Sequence, residues 1–144
     1  MFRISIFGFR ISQLSELRKL SQILQNPDKV EIIDSFIFRF SKMQDTMGEK
    51  LFPATLTLVG EYKRSMSFID ILNKLEQLEL IDRIQTWQAF RKARNLFAHT
   101  YPWETQDLIS GIKLALQYSD ELITIYEKIK NYIEQYKHVN MDEL

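Results

Sequence analysis

From Leu108 to Tyr136 a mostly apolar series returns every three or four positions: Leu108, Ile112, Ala115, Ser119, Leu122, Tyr126, Ile129, Ile133 and Tyr136. The steps alternate around a mean of about 3.5, the spacing of a helical bundle seam. A stripe of this length cannot be satisfied by one helix in water, so it commits the chain to helix-on-helix packing. Ile109, Leu116, Ile123 and Ile125 widen the apolar face enough to serve both a core and a partner. Thr105 and Asp107 suit the start of this helix. The polar residues from His138 to Leu144 read as a frayed end, and His138 has no companions that would give it a role.

The same period runs through the earlier part of the chain. Ser12 suits the N-cap of a first helix with Leu14, Leu17, Ser21 and Leu24 inward, ended by Asn26-Pro27. Asn26 can in turn cap a second helix, with Pro27 at its first position and Asp28 in its first turn. Val30, Ile33, Ile37 (or Phe36), Phe40, Met43, Met47, Leu51, Ala54 and Leu58 then mark one long amphipathic helix. Pro53 is expected to kink it and Gly60 to close it. Asp45, Glu49 and Lys50 read as its solvated face. Ser67 suits the cap of a short helix carrying Phe68, Ile71, Leu72, Leu75 and Leu78. After a turn at Leu80 to Asp82, with Asp82 as N-cap, Trp87, Phe90, Ala93 (or Arg94) and Phe97 predict a helix from about Arg83 to Ala98. Pro102 disfavours the α conformation at Tyr101, which places the end of that helix near His99. Residues 1–11 alternate loosely, as a short strand or as an arm packed on a partner. The expectation is one domain over residues 1–144, an all-α antiparallel bundle of four or five helices.

Composition narrows the chemistry. The chain has 144 residues, no cysteine and two histidines, so disulfide and thiol chemistry are excluded, and neither a zinc set nor any cofactor is expected. No apolar run reaches the ~18 residues of a membrane span, and Arg3 and Arg10 interrupt the apolar start where a signal peptide would need a continuous core. A cytoplasmic protein with no membrane contact is the expectation. The formal net charge is zero, which argues against a general nucleic-acid coat but leaves room for a local site. From Arg83 to Trp103 there is no acidic residue, while Arg83, Arg91, Lys92 and Arg94 are present. Arg91 and Lys92 are candidate RNA-binding residues; the alternative is an ordinary solvated face. Trp87, Phe90, Phe97, Tyr101 and Trp103 in this window suit base stacking, but helical spacing favours the core for them.

Within the window, Arg94-Asn95-Leu96-Phe97-Ala98-His99-Thr100-Tyr101-Pro102 gathers a guanidinium, an amide, an imidazole and a phenol. Asn95 and His99 are four apart and share a helix face. Arg94 and His99 are five apart, roughly 140° around an ideal helix. One regular helix does not aim both at one phosphate, so either the last turn loosens or a second copy of the chain completes the site.

The string RNLFAHTY resembles the R-x4-H-x-Y signature of the HEPN superfamily in its HepT toxin branch, with Arg94, Asn95, His99 and Tyr101 filling the motif positions. The stretch from Phe38 to Leu56 is similar to the second helix of HepT-like proteins, and the resemblance extends over roughly residues 12–136. It implies a homodimeric, metal-independent ribonuclease with two motifs in one cleft, cleaving RNA, with tRNA as a family-level target. It also implies a partner, a minimal nucleotidyltransferase antitoxin that adds AMP to the motif tyrosine, here Tyr101. In these roles Arg94 grips the scissile phosphate, His99 carries the proton transfers and Asn95 orients one of them.

Those assignments suit the side chains. Histidine takes or gives a proton near neutrality, and arginine stays charged and grips phosphate with paired hydrogen bonds. A two-fold dimer would supply the second histidine that an acid-and-base mechanism needs. The reading in a different class is a non-catalytic binding subunit of a nucleotidyltransferase, with Arg94 in an ion pair, His99 as a helix-end cap and Tyr101 as an ordinary packed aromatic.

Overall fold

A computed structural model describes residues 25–99 and 105–142. The helix expected from Ser12 and the arm of residues 1–11 lie outside the described residues, as do Tyr101 and Pro102. Among the described residues the regular structure is helical, with no strand: α1 Pro27–Thr46, a π-helical turn Met47–Leu51, α2 Phe52–Leu58, α3 Phe68–Gln77, α4 Ile84–His99 and α5 Thr105–Asp142. The described residues are all-α and compatible with a bundle. Its contacts divide it into two compact units, Met1–Gln44 with Ala89–Asp120 and Asp45–Gln88 with Glu121–Leu144.

Local chemistry sets the helix ends. The Asp28 amide donates to Asn26 Oδ1 at 3.1 Å, and the Lys29 and Val30 amides donate to the Asn26 carbonyl at 3.1 and 3.0 Å. Asn26 therefore caps α1, and Pro27 occupies a position whose amide would have had no helical partner. At the other end, Gly60 sits at φ 74°, with its amide on the Thr57 carbonyl and the Glu61 amide on the Leu56 carbonyl. That pair of bonds satisfies the last carbonyls of α2, and glycine enters the left-handed region without a Cβ penalty.

Between these ends the expected kink takes another form. Pro53 has no amide to donate, and its ring crowds the carbonyl four residues back. The backbone responds one residue earlier: the Phe52 amide reaches back five residues to the Met47 carbonyl, closing a π turn. Thr46 and Phe52 on either side keep ordinary α dihedrals, so the helical run continues from Pro27 to Leu58. The hydroxyls of Thr55 and Thr57 donate to the carbonyls of Leu51 and Pro53 at 2.7 and 2.8 Å. The wide turn shifts the inward face by one residue. Phe52, Thr55 and Leu56 are buried where the spacing predicted Leu51, Ala54 and Leu58, and Leu58 is 40% exposed. Of the three residues expected on the solvated face, Glu49 and Lys50 are exposed and Asp45 is half-buried.

Ser67 caps α3 reciprocally: its hydroxyl accepts from the Asp70 amide, and the Asp70 carboxylate accepts from the Ser67 amide at 2.8 Å and hydroxyl at 2.7 Å. These bonds, the hydroxyl one foremost, hold the Asp70 carboxyl below its ordinary value of 3.8. A lowered folded value means the contribution is fully present above the ordinary carboxylate range and is lost as pH falls through the folded value. Melting temperature followed downward from pH 5 is expected to carry a component that Asp70→Asn lacks; parallel pH curves for the two proteins would contradict it.

Asp82 does not cap α4. The Ile84 amide instead donates to Glu76 Oε2 of α3 at 3.2 Å, and Asp82 Oδ1 pairs with Lys128 of α5 at 2.6 Å. The carboxylate of Glu76 in the preceding helix takes the first free amide, and Asp82 is left to a surface ion pair worth about 0–1 kcal/mol. α5 runs on past His138, where fraying was expected, to Asp142, and Asn140 Nδ2 donates to the Tyr136 carbonyl at 2.8 Å.

Each unit has its own buried set. In the first, Ile33, Phe36 and Phe40 of α1, Phe90 and Ala93 of α4, and Ile112 and Ala115 of α5 are buried, and the Phe90 ring meets Tyr118 edge-on at 5.3 Å. In the second, Trp87 lies tilted on Phe52 with ring centroids 4.6 Å apart, and Met47, Leu56, Leu72, Leu75, Leu122 and Ile129 are buried as well. Gly48 lies in this set, where a Cβ would stand 3.2 Å from Trp87 Cζ2 and 3.5 Å from Phe68 Cζ. The lack of a side chain there lets the π turn approach the indole.

Candidate functional site

α4 is the element that carries the motif. It begins where the Glu76 carboxylate meets the Ile84 amide and remains α-helical to His99. The expected end of this helix before Tyr101-Pro102 lies outside the described residues. The last turn does not loosen before position 99, so the helical register stands: positions 95 and 99 lie on one face, and position 94 lies about 140° from position 99.

Burial divides the helix into two sides. Trp87, Phe90 and Ala93 are buried at 1%, 0% and 0% exposure, so the two aromatics belong to the core and have no ring face to offer a base. Arg91, Lys92 and Asn95 are exposed, and Arg94 is half-buried. Arg94 thus sits on the flank between the core side and the solvent side. The side chains of Phe97 and His99, and the whole of Tyr101 and Trp103, lie outside what is described. The structure therefore places Arg94, Asn95, Arg91 and Lys92 on one helix and carries its backbone to position 99.

Two residues join this face that motif reading did not select. Gln85 and Gln88 are exposed and precede Lys92 by seven and four positions. With Lys92, Asn95 and position 99 they step by three, four, three and four along α4. The signal was present in the sequence as a polar heptad stripe opposite the aromatic one. α4 has no acidic residue along its length. Among the described residues no group of three histidines, cysteines or carboxylates could hold a metal ion, and no helix is long and apolar enough to cross a membrane.

Compared with protein-family models, with curated proteins and with solved structures, the chain finds no match.

Proposed function

We propose that this chain is a HEPN-type, metal-independent endoribonuclease of the HepT kind, a cytoplasmic toxin acting as a homodimer. The observation that carries the reading is the motif's position: Arg94 and Asn95 lie on an acid-free helix described as far as His99, two positions before Tyr101 in the sequence. In the proposed reaction one His99 takes the proton of a ribose 2′-hydroxyl, whose oxygen then attacks the adjacent phosphorus. The His99 of the second copy protonates the departing 5′-oxygen, leaving a cyclic phosphate and a free hydroxyl. Arg94 grips the phosphate as charge builds on it, and Asn95 orients one imidazole. Arg91 and Lys92 hold neighbouring phosphates. The ~140° between positions 94 and 99 supports a site shared between two chains.

The test is the purified chain with cellular RNA, tRNA included, in EDTA. Wild type is expected to cut and His99→Ala to be inert. A wild type that neither cuts RNA nor arrests growth when expressed alone would instead favour the non-catalytic subunit of a nucleotidyltransferase.

Tyr101 is proposed as the switch, modified with AMP by a partner nucleotidyltransferase. Held two positions past His99 by Pro102, an added phosphate would compete with RNA for the same cations. The amides at the start of α5 could receive it. Incubation with that partner and ATP is expected to add one AMP mass to the Tyr101 peptide and to silence cleavage, while Tyr101→Phe stays active. Equal silencing of Tyr101→Phe would remove Tyr101 from this role.

A further inference from the structure

The outward side of α1 carries a second regular stripe. The buried residues of this helix are Ile33, Phe36, Phe40 and Gln44. On the opposite side Glu31, Ser35, Phe38 and Lys42 step by four, three and four, and they fall within about 60° of one another around the helix. Glu31 and Lys42 are exposed and Ser35 is half-buried. Phe38 is 69% exposed, more than any other large apolar residue among those described. A single exposed apolar side chain is ordinary on a protein surface. What sets this one apart is the order of its flanks. Glu31 and Lys42 lie equally far from the point midway between Ser35 and Phe38, and one is acidic and the other basic.

A stripe with that order is complementary to itself run backwards. When two copies of α1 are laid antiparallel about that midpoint, position 31 of each falls opposite position 42 of the other. Position 38 falls opposite position 35, where a serine is small enough to leave room for a ring. The two Phe38 rings then lie side by side across the two-fold axis, with a Glu31–Lys42 ion pair closing each end. A parallel pair in register would set Glu31 on Glu31 and Lys42 on Lys42, and like charges oppose it. Steps of four, three and four are also the spacing at which two helices stay in contact along their length.

We propose that the Glu31–Ser35–Phe38–Lys42 stripe docks on the same stripe of a second copy of this chain, in antiparallel two-fold contact. All four residues lie on α1 within the first compact unit. The stripe faces away from Phe36 and Phe40, and the motif of α4 takes no part in it. The pairing therefore does not rest on the nuclease reading. If both hold, each chain has two different two-fold contacts, which build a tetramer or an open array. The contact is small: the stripe spans about 16 Å at ~1.5 Å of rise per residue, short of what the ~1,200–2,000 Å² of a stable complex requires. Association is accordingly weak, with a Kd on the order of 0.1 mM.

Sedimentation equilibrium of the full-length chain, from about 10 μM to about 1 mM at low salt, reads the pairing as a doubling of mass across the range. Phe38→Glu is expected to weaken it at least about tenfold. Glu31→Lys places lysine at both ends of the stripe and Lys42→Glu places glutamate at both, so each variant alone is expected to associate about tenfold more weakly than wild type. The exchanged chain Glu31→Lys/Lys42→Glu keeps the net charge of wild type and is expected to pair as wild type does. So is an equal mixture of the two single variants, in which every lysine meets a glutamate. The three positions are exposed, and helical circular dichroism checks that the variants fold. A wild-type mass that stays constant over the range overturns the pairing, as does a Phe38→Glu chain that doubles like wild type. Single variants that associate as well as the exchanged chain overturn it too. No RNA enters the experiment, so its outcome is separate from that of the nuclease reading.

Discussion

Mixing wild-type chains with an equal amount of His99→Ala chains, at constant total chain, is expected to leave about one quarter of wild-type RNA cleavage, although His99→Ala alone falls by roughly a thousandfold or more. The figure follows from a cleft that uses the His99 of both copies. A quarter of randomly assorted dimers then hold two intact histidines, and every mixed dimer lacks either the base or the acid. The basis is the register of α4, which stays helical to His99 with position 94 about 140° away from it. Single-turnover cleavage of a defined RNA after the chains are unfolded together and refolded measures it. Retention of one half would mean that each His99 acts within its own chain.

Trp87→Ala is expected to cost about 3–5 kcal/mol, the range for removing a large aromatic from a closed core. Trp87 is 1% exposed, its ring lies 4.6 Å from that of Phe52, and Gly48 presents a bare Cα to its edge. The void has little chance of closing from the Gly48 side, because that residue has no side chain to move in. Urea unfolding followed by helical circular dichroism gives the number. A loss below ~1 kcal/mol would show that the indole is not the keystone of its unit. The comparison matters for function as well, since a Trp87 held out for base stacking would weaken RNA binding without this loss of stability.

The parts of the fold that could be read from the residues are those governed by short-range chemistry. Asn26-Pro27 started α1, Ser67 with Asp70 started α3, and Gly60 closed α2, each through bonds among residues a few positions apart. What spacing alone missed depends on residues farther off. The shift from Leu51, Ala54 and Leu58 to Phe52, Thr55 and Leu56 arises because the missing amide of Pro53 is absorbed by a π turn, whose form a fixed period cannot express. Asp82 lost its expected cap to Glu76, a residue of the preceding helix, and found Lys128 of α5 instead. At the candidate site, the acid-free helix and the exposure of Arg91, Lys92 and Asn95 were legible from one turn to the next. The half-burial of Arg94, next to the buried Ala93, agrees with the alternative of Ala93 or Arg94 in the inward series. It depends on where the core aromatics Trp87 and Phe90 set the helix.

The π turn at Met47–Leu51 also bears on how chains of this kind are to be aligned. A π turn amounts to one extra residue housed in an otherwise unbroken helix. A related chain without it would be one residue shorter between Phe40 and Phe52, would have no need of a glycine under its tryptophan, and would lack Pro53. Its inward residues would still superimpose on both sides. Matching such chains position by position, without opening a gap inside a helix, would set Leu51 against a core residue and Phe52 against a surface one, and a common core would look like unrelated sequence.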